Sequence, residues 1–375
     1  MKKILGQKSF VIRNRNVDAA VTELGGHLGP VTFSLGKKKV SPFSVAPWWG
    51  EKLDKGTPAL LRALRGDFFC LPFGGNGKAW RGERHPPHGE TANAKWKFEA
   101  LRRKSGEVCL ELSLKTKVRA GRVSKRIRLV NGHSVVYQEH VVSGMTGPMS
   151  LGHHAMLKFP DREIAGRLST SKLALGQVFV EPAEDPSQRG YSVLKPGAVF
   201  DDLEAVPDIT GATADLTRYP ARRGFEDIVM LVAHPSVKVA WNAVAFPEEG
   251  YVWFALRDPR VLSSTVLWIS NGGRHYAPWN GRHVNVMGIE DVTAWFHYGL
   301  AESAEPNPLS ALGYATHREL NAKEALSVRY VMGVAPIGKR FERVADIRLG
   351  NDSVTLEGES GESVKVPLDV KFLGL

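Results

Sequence analysis

The stretch MSLGHHAMLKFP, Met149–Pro160, decides how the rest of the chain is interpreted. Its two adjacent histidines, His153 and His154, stand in a run that alternates in the manner of a β-strand. Successive side chains of a strand point to opposite faces, so the two imidazoles must face opposite ways. His154 shares its face with Met156 and Lys158, whereas His153 shares its face with apolar residues only. We therefore expect His153 to pack in the core and His154 to face a groove, taking Leu151–Phe159 as one strand.

Short alternating runs separated by Gly, Ser and Asn recur from Trp96 to the end of the chain. An earlier apolar run, Asp67–Phe73, is predicted to be a buried strand that leads into a glycine-rich bend. Helical patterns are confined to Pro58–Leu64 and Asn307–Lys323. Many strands with few short helices predict an all-β fold, an antiparallel sandwich or barrel. We expect one large β domain over residues 1–336, with residues 337–375 as a small C-terminal β extension packed on it or as further strands of the same sheet.

The amino-acid composition of the chain limits the classes of binding partner that we expect. The 375 residues include 50 Lys and Arg against 39 Asp and Glu, a formal net charge of +11. These basic residues are scattered, which is typical of solvated strand faces, so we expect no nucleic-acid partner. The two cysteines, Cys70 and Cys109, have no CxxC spacing and are expected to be reduced thiols of a cytoplasmic protein. No apolar run is long enough for a signal peptide or a membrane span, so no membrane partner is expected.

Three segments carry residues suited to acid–base chemistry. His85 and His88 flank a Pro-Pro pair, and the prolines present His88 from a rigid loop. Glu290 lies among apolar residues in VMGIEDVT (Val286–Thr293), where desolvation would disfavour its charged form and make it a better base near neutral pH. Histidines with a carboxylate could also ligate a metal, but their spacing fits no standard zinc signature, so no metal is expected.

Aromatic and basic residues surround these segments. Trp268, Trp279 and Trp295 lie near NGGRHYAPWNGRH, which interleaves aromatic side chains with Asn, Arg and His. Flat aromatic faces beside hydrogen-bonding groups suit a sugar ring, although they suit a hydrophobic core equally well. We therefore expect a small-molecule sugar as the binding partner.

In order and spacing, these pieces resemble the aldose 1-epimerase, or galactose mutarotase-like, superfamily. The resemblance rests on ELGGHLGPVTF near the start, PFGGN after an apolar strand, His88-Gly89 followed by Trp96, and GHHAMLKF followed much later by Gly288-Ile289-Glu290. It covers residues 21 to 334. It implies a large antiparallel two-sheet supersandwich with a sugar groove on one concave sheet.

The resemblance also implies the residue roles of an isomerase that interconverts sugar anomers. Glu290 would be the catalytic base, His154 the general acid and His88 a histidine that contacts the sugar. Ring opening and closure by this acid–base pair would need no cofactor. Losing the pair would leave a non-catalytic carbohydrate-binding protein, while a sugar hydrolase or lyase on the same scaffold would want a second carboxylate.

This sequence departs from the family pattern at several positions near the site. Asn76 follows Gly75 where many relatives have an Arg, and Asp291 follows Glu290 where Pro is usual. Arg81, Arg274 and Arg282 lie beside the predicted site segments. A guanidinium suits a carboxylate or a phosphate, so these three arginines, with Asn76 and Trp279, are predicted to bind a sugar that is free, acidic or phosphorylated.

Overall fold

The structure is a computed structural model that describes all residues from 1 to 375. The chain forms 29 strands, three short α-helices and three 3₁₀ turns. The first strands are β1 (Lys2–Ile4), β2 (Gln7–Arg13), β3 (Val17–Thr22), β4 (Leu28–Leu35), β5 (Lys38–Val40), β6 (Phe69–Cys70), β7 (Lys97–Lys104), β8 (Glu107–Thr116), β9 (Gly121–Val130) and β10 (Val135–Ser143). The middle strands are β11 (Gly147–Met149), β12 (Leu151–His153), β13 (Ala155–Lys158), β14 (Gly166–Thr170), β15 (Leu173–Val178), β16 (Val199–Phe200), β17 (Val206–Pro207), β18 (Thr213–Ala214) and β19 (Arg218–Tyr219).

The last strands are β20 (Phe225–Ala233), β21 (Ala240–Phe246), β22 (Tyr251–Arg257), β23 (Ser264–Asn271), β24 (Val286–Thr293), β25 (Arg318–Leu320), β26 (Leu326–Pro336), β27 (Val344–Leu349), β28 (Ser353–Gly358) and β29 (Ser363–Pro367). The helices are α1 (Ala59–Ala63), α2 (Leu300–Ala304) and α3 (Pro308–Ala311), and the 3₁₀ turns are Glu90–Ala92, Pro186–Gln188 and Val370–Leu373. The all-β prediction is confirmed. No helix has the length and apolar character needed to cross a membrane.

Two large antiparallel sheets face each other across the main core. One has nine strands in the order β19-β14-β21-β22-β26-β10-β9-β8-β7; the other has eight, in the order β16-β15-β20-β23-β24-β12-β6 with β13 also paired to β24. The N-terminal strands β1 to β5 form a separate five-stranded sheet that packs into the same core. Alternate side chains of β24 supply this core, including Met287 and Ile289, which meet Trp253 and Tyr330 of the opposite sheet within one buried cluster.

The other face of the eight-stranded sheet carries a second apolar cluster and the candidate site. Met156 and Trp268 rise from this face, while Trp48, Leu60 and Leu64 come from the loop and helix α1 that cover it. Because α1 lies over the sheet, a space is enclosed between them. The predicted helix at Pro58–Leu64 is thus confirmed, and it forms one wall of the site.

The C-terminal strands β27 to β29 form a three-stranded sheet on the outer face of the nine-stranded sheet. Phe341 and Leu356 pack there against Tyr137, Trp241 and Phe254. This places the C-terminal residues on the opposite side of the molecule from α1 and the candidate site.

Three local predictions need correction. The predicted strand Leu151–Phe159 is divided into β12 and β13 at His154, because the backbone N–H of His154 donates to the Phe68 carbonyl and to the Asp67 carboxylate. The predicted strand Asp67–Phe73 is regular only over the two residues of β6, and Pro72 cannot donate a ladder hydrogen bond. Within Asn307–Lys323 only α3 is helical, and strand β25 follows it.

Candidate active site

The floor of the candidate site is formed by cross-strand rows of the eight-stranded sheet. In one row Ile228 of β20 lies opposite Trp268 of β23, which lies opposite Gly288 of β24. In the next row Val266 of β23 lies opposite Glu290 of β24. These side chains share one face because they alternate with the core residues of the same strands. The sheet therefore presents one carboxylate among apolar neighbours.

His154 completes the second row. The register of β13 with β24 pairs Ala155 with Ile289, which places His154, one residue earlier, opposite Glu290, one residue later. Nε2 of His154 lies 3.2 Å from Oε1 of Glu290. Both side chains are buried, His154 at 5% exposure and Glu290 at 2%. An imidazole and a carboxylate are thus held in direct contact at the bottom of a cavity.

Gly288 makes room for this pair. A Cβ atom at residue 288 would lie 2.6 Å from Oε1 of Glu290 and 3.1 Å from Cβ of Trp268. Any larger residue there would displace the carboxylate, because real Cβ atoms do not approach an oxygen so closely. The spacing of Gly288 and Glu290, which carries part of the family resemblance, therefore has a steric reason: the glycine opens the space that the carboxylate occupies.

The ring of His154 is oriented by aromatic neighbours, which include Phe68 and His88. It stacks on Phe68, with ring centroids 4.5 Å apart, and His27 stacks on the same phenylalanine at 4.3 Å. His88 meets the His154 ring edge-on at 4.9 Å. Nδ1 of His154 is buried and has no hydrogen-bond partner, whereas Nε2 faces the Glu290 carboxylate. His27 belongs to the early Gly-Gly segment of the resemblance.

His88 reaches the cavity from the loop that follows β6. Its backbone has φ of 57°, in the left-handed region, and its N–H donates to the Gly74 carbonyl. Nδ1 of His88 lies 3.4 Å from both the backbone nitrogen of Gly74 and Sγ of Cys70. Because Nδ1 is engaged by the protein, Nε2 remains to bind a ligand.

Burial shifts the pKa values of the ionisable groups toward their neutral forms. It raises the pKa of Glu290 well above its usual value, and the positive charge of Arg274 only partly offsets this. It lowers the pKa of His154 well below the usual value, and that of His88 to about 3. His297, which also lines the cavity, has its pKa lowered to about 4. The pair of His154 and Glu290 therefore favours one shared proton over two separate charges.

Arg274 is the single cation of the cavity lining, and two carboxylates already balance it. Its Nε lies 2.5 Å from Oε1 of Glu184 and 3.9 Å from Oε2 of Glu226. Its guanidinium carbon lies 4.8 Å from the ring centroids of both Trp268 and Trp279. Glu226 is buried, accepts a hydrogen bond from Nε1 of Trp268, and has its pKa raised to about 7 by burial.

The cavity has a volume of about 320 Å³. Its polar lining comes from His88, His154, Arg274, Tyr276, Glu290 and His297. Its apolar lining comes mainly from Leu60, Leu61, Leu64, Phe68, Ile228, Val266, Trp268 and Trp279. Tyr276 is 53% exposed and stands at the mouth, whereas the His154–Glu290 pair lies inside. The space is of the size and character of a small-molecule site.

The structure brings together five of the eight side chains predicted for the site: His88, His154, Trp279, Arg274 and Glu290 all line the cavity. It places the other three elsewhere. The amide of Asn76 is used to bind backbone groups, donating to the Gly74 and Pro86 carbonyls and accepting from the Leu300 N–H. Arg81 lies on the surface over the Trp80 ring. Arg282 is paired with Glu51 and lines a different cavity.

Several residues of the cavity were not found from the sequence. His297 and Tyr276 lie in loops, where no periodicity predicts the direction of a side chain. The leucines of α1 were recognised as helical but not as a wall of the site. Glu184, which holds Arg274, is distant in sequence and has no motif around it. No group of three or more His, Cys, Asp or Glu side chains is arranged to hold a metal ion.

No known protein-family profile matches the chain, and no curated protein matches it in sequence. Solved structures do match. A candidate aldose 1-epimerase from Escherichia coli K12 has a TM-score of 0.57 at 14% identity, over 88% of this chain and 100% of its own. A candidate mutarotase from Salmonella typhimurium has a TM-score of 0.58 at 13% identity, over 89% of this chain and 92% of its own. A galactose mutarotase-like protein from Clostridium acetobutylicum has a TM-score of 0.55 at 12% identity, over 90% and 98%.

These comparisons confirm the resemblance at the level of the fold. The chain has the all-β fold of the galactose mutarotase-like proteins, and the likeness spans most of its length. At sequence identities of 12–14% the structural similarity supports the fold alone. Any function has to be argued from the residues of the cavity.

Proposed function

On this fold, we propose that the protein is a carbohydrate-active isomerase of the aldose 1-epimerase type, which interconverts the anomers of a small sugar. One observation carries the proposal: the Glu290 carboxylate lies 3.2 Å from Nε2 of His154 in a cavity of small-molecule size. Anomer exchange needs one acid and one base held close together, and this pair supplies both. The two free thiols, Cys70 and Cys109, fit the cytoplasmic location that we propose with it.

The shared proton of the pair sets the starting state. Because burial favours neutral forms, the proton resides on Glu290 before substrate binds. The 3.2 Å contact lets it pass directly to His154. Hydroxyl groups of an entering sugar then stabilise the resulting carboxylate and imidazolium by hydrogen bonds. The reactive ion pair thus forms when substrate is present.

Ring opening follows from this ion pair. Glu290 takes the proton of the anomeric hydroxyl, the carbon–oxygen double bond forms at the anomeric carbon, and the bond to the ring oxygen breaks. His154 delivers its proton to that ring oxygen. The pair then holds a protonated Glu290 and a neutral His154, which are the forms that burial favours. Rotation about the bond next to the aldehyde and the reverse proton transfers close the ring to the other anomer. Neither step calls for a metal or an organic cofactor.

Two other functions on this fold have weaker support. A glycosidase that works through two carboxylates needs them on either side of the scissile bond, at about 5–10 Å. Glu290 is the single carboxylate of the cavity lining, and Glu226 lies behind Trp268 and Arg274. A carbohydrate-binding protein without turnover has no need of a buried acid–base pair, which is costly to keep without other partners.

The test is anomer exchange measured by NMR on a panel of free sugars. Wild-type protein is expected to accelerate exchange of at least one sugar above the spontaneous rate. Glu290→Gln and His154→Ala should each lower that acceleration by about 10²–10⁴-fold, since each removes one proton-transfer group. Glu319→Gln and His234→Ala serve as matched controls, because neither residue lines the cavity.

The outcomes separate the alternatives. Acceleration that survives in both cavity variants would remove the pair from the mechanism and contradict the proposal. Saturable binding of a sugar without any acceleration would favour the carbohydrate-binding protein. Release of a reducing end from a glycoside, lost in Glu290→Gln, would favour the hydrolase.

A further inference from the structure

The residues that line the cavity also indicate which class of sugar binds there. We propose, on the basis of the proposed function, that the substrate is a neutral sugar whose exocyclic carbon is a methyl group, as in a 6-deoxyhexose. Three features of the cavity carry this inference: its charge, the state of its aromatic rings and the composition of its walls.

The charge of the cavity does not favour an anion. Arg274 is the single Lys or Arg side chain in the lining, and Glu184 and Glu226 already hold it. A phosphate or carboxylate on the substrate would have to compete with these two carboxylates, and its negative charge would oppose the ionisation of Glu290 that the reaction needs. Repulsion of that kind disfavours an acidic or phosphorylated sugar.

The two indole rings of the cavity are already engaged by the protein. His283 stacks on Trp268 with ring centroids 5.2 Å apart, and Arg274 lies 4.8 Å from the same ring. Trp279 meets Trp48 edge-on at 4.8 Å and also lies under Arg274. The aromatic faces against which the C–H face of a sugar usually packs are therefore largely covered by other side chains of the protein. The apolar surface left to a ligand is mostly aliphatic.

That aliphatic surface lies on two sides of the cavity. Leu60 and Leu61 of α1, with Leu64 directly after the helix, form the wall, and Ile228 and Val266 of the sheet form part of the floor. None of these five side chains can donate or accept a hydrogen bond. A hydroxyl group pressed against them would give up water without gaining a partner, whereas a methyl group would gain contact.

The position of the apolar group follows from the chemistry of the pair. His154 is placed to protonate the ring oxygen, and the exocyclic carbon is attached to the ring carbon next to that oxygen. This carbon must therefore lie on the His154 side of the cavity. Phe68 stacks on His154 there, and it belongs to the same apolar cluster as Leu60 and Leu64.

The test compares three groups on the exocyclic carbon of one ring. D-galactose, its 6-deoxy form and its 6-phosphate are compared by NMR anomer exchange, and the same series is run on D-glucose and D-mannose. In at least one series we expect the 6-deoxy sugar to exceed the parent by tenfold or more in kcat/KM, and the phosphate to be the poorest. In Leu61→Gln the preference for the 6-deoxy sugar should fall at least threefold, because the new amide can pair with a hydroxyl. Leu61→Met should retain it.

Binding of the corresponding methyl glycosides, which cannot open, keeps this inference separate from the proposed function. Tighter binding of the methyl 6-deoxyglycoside supports the neutral, apolar-substituted class even if no sugar is isomerised. Equal or tighter binding of the parent or of the phosphate in every series overturns it, even if those sugars are isomerised rapidly.

Discussion

Two pairs of neighbouring residues, His153 with His154 and Glu290 with Asp291, show that the face of the sheet on which a side chain lies decides whether it stabilises the fold or is available for chemistry. Within each pair the side chains point to opposite faces of the eight-stranded sheet. His153 and Asp291 enter the core between the sheets, whereas His154 and Glu290 enter the cavity. All four are buried and all four are acids or bases. What differs between the faces is the set of partners.

On the core face the charges are matched by fixed partners. Asp291 accepts hydrogen bonds from Asn242, Thr265 and Tyr330 at 2.7–2.8 Å and lies 2.7 Å from the Arg257 guanidinium. On the cavity face Glu290 has no such partners and lies against His154 alone. A carboxylate held by four groups stabilises the fold and cannot easily exchange protons. A carboxylate whose one neighbour is a histidine is free to do so.

Asp291→Asn is predicted to have the largest effect on stability. The substitution removes the charge that balances Arg257 while the guanidinium stays buried, at 2% exposure for the residue. Breaking one partner of a buried ion pair costs about 3–5 kcal/mol. Urea denaturation of the variant beside Glu290→Gln measures this directly. A loss below about 1 kcal/mol would mean that the core face tolerates an unpaired charge and that the contrast between the faces is wrong.

Asp67→Asn should have an intermediate effect, because Asp67 serves both faces. One oxygen lies 2.8 Å from Nδ1 of His153 and accepts from Gln138, and the other accepts the backbone N–H of His154. Burial would raise the pKa of Asp67, but the charge and hydrogen bond of His153, with the bond from Gln138, hold it below its usual value. Loss of hydrogen bonds to a charged group costs about 1.5–3 kcal/mol each.

The predicted consequence of Asp67→Asn is therefore a loss of stability together with a lower kcat. The kcat falls because the backbone that orients His154 shifts, while KM should change little. Asp291→Asn, by contrast, should lower stability and leave kcat of the folded protein nearly unchanged. Equal effects of both variants on kcat would show that the core face acts on the reaction through more than the Asp67 contact.

Glu290→Gln is predicted to change the pH dependence of stability. Burial raises the folded-state pKa of Glu290 above its unfolded value, so its contribution to stability is complete below about pH 4.3 and is lost as the pH rises through the folded pKa. Gln resembles the protonated side chain and does not titrate. The variant should therefore gain stability relative to wild type as the pH rises from about 4.3 toward the folded-state pKa of Glu290, by up to about 1.4 kcal/mol per pH unit.

Denaturation curves of both proteins at each pH give this difference directly. Glu226, whose pKa is raised to about 7 by burial, titrates in both proteins and cancels. A difference that stays constant with pH would mean that Glu290 is ionised throughout in the folded protein. A difference that grows in favour of wild type would reverse the sign and contradict the role of burial at this position.

The two faces could be predicted from the sequence because strand alternation is strict. The apolar companions of His153 and the polar companion of His154 sufficed to assign their faces, and the Gly-x-Glu spacing identified Glu290. The position of His154 opposite Glu290 on neighbouring strands then followed from the register of the sheet. The short helix α1 was predicted for a similar reason: its side-chain pattern repeats within a few residues.

The partners of these residues could not be predicted in the same way. Asp67 lies 86 residues before His153, and Glu184 lies 90 residues before Arg274, so no local pattern connects either pair. Arg282 and Arg274 lie eight positions apart in one loop-rich segment, yet Arg274 lines the cavity and Arg282 faces Glu51. Loop geometry decides such cases, and sequence proximity to a site is weak evidence for membership in it.

Arg282→Gln should have the smallest effect. It removes the Arg282–Glu51 ion pair, which is the exposed counterpart of the buried Arg257–Asp291 pair. Arg282 and Glu51 form a two-point contact, with 35% and 46% of their side chains exposed. Solvent screens such a pair and both side chains remain hydrated when it breaks, so the unfolding midpoint and kcat/KM should stay within experimental error of wild type. A clear loss of kcat/KM would instead show that this arginine reaches the substrate, which would enlarge the site toward the neighbouring cavity. If both measurements are unchanged, the loss of stability expected of Asp291→Asn comes from the burial of its ion pair. Pairing an arginine with a carboxylate is then not enough by itself to produce such a loss.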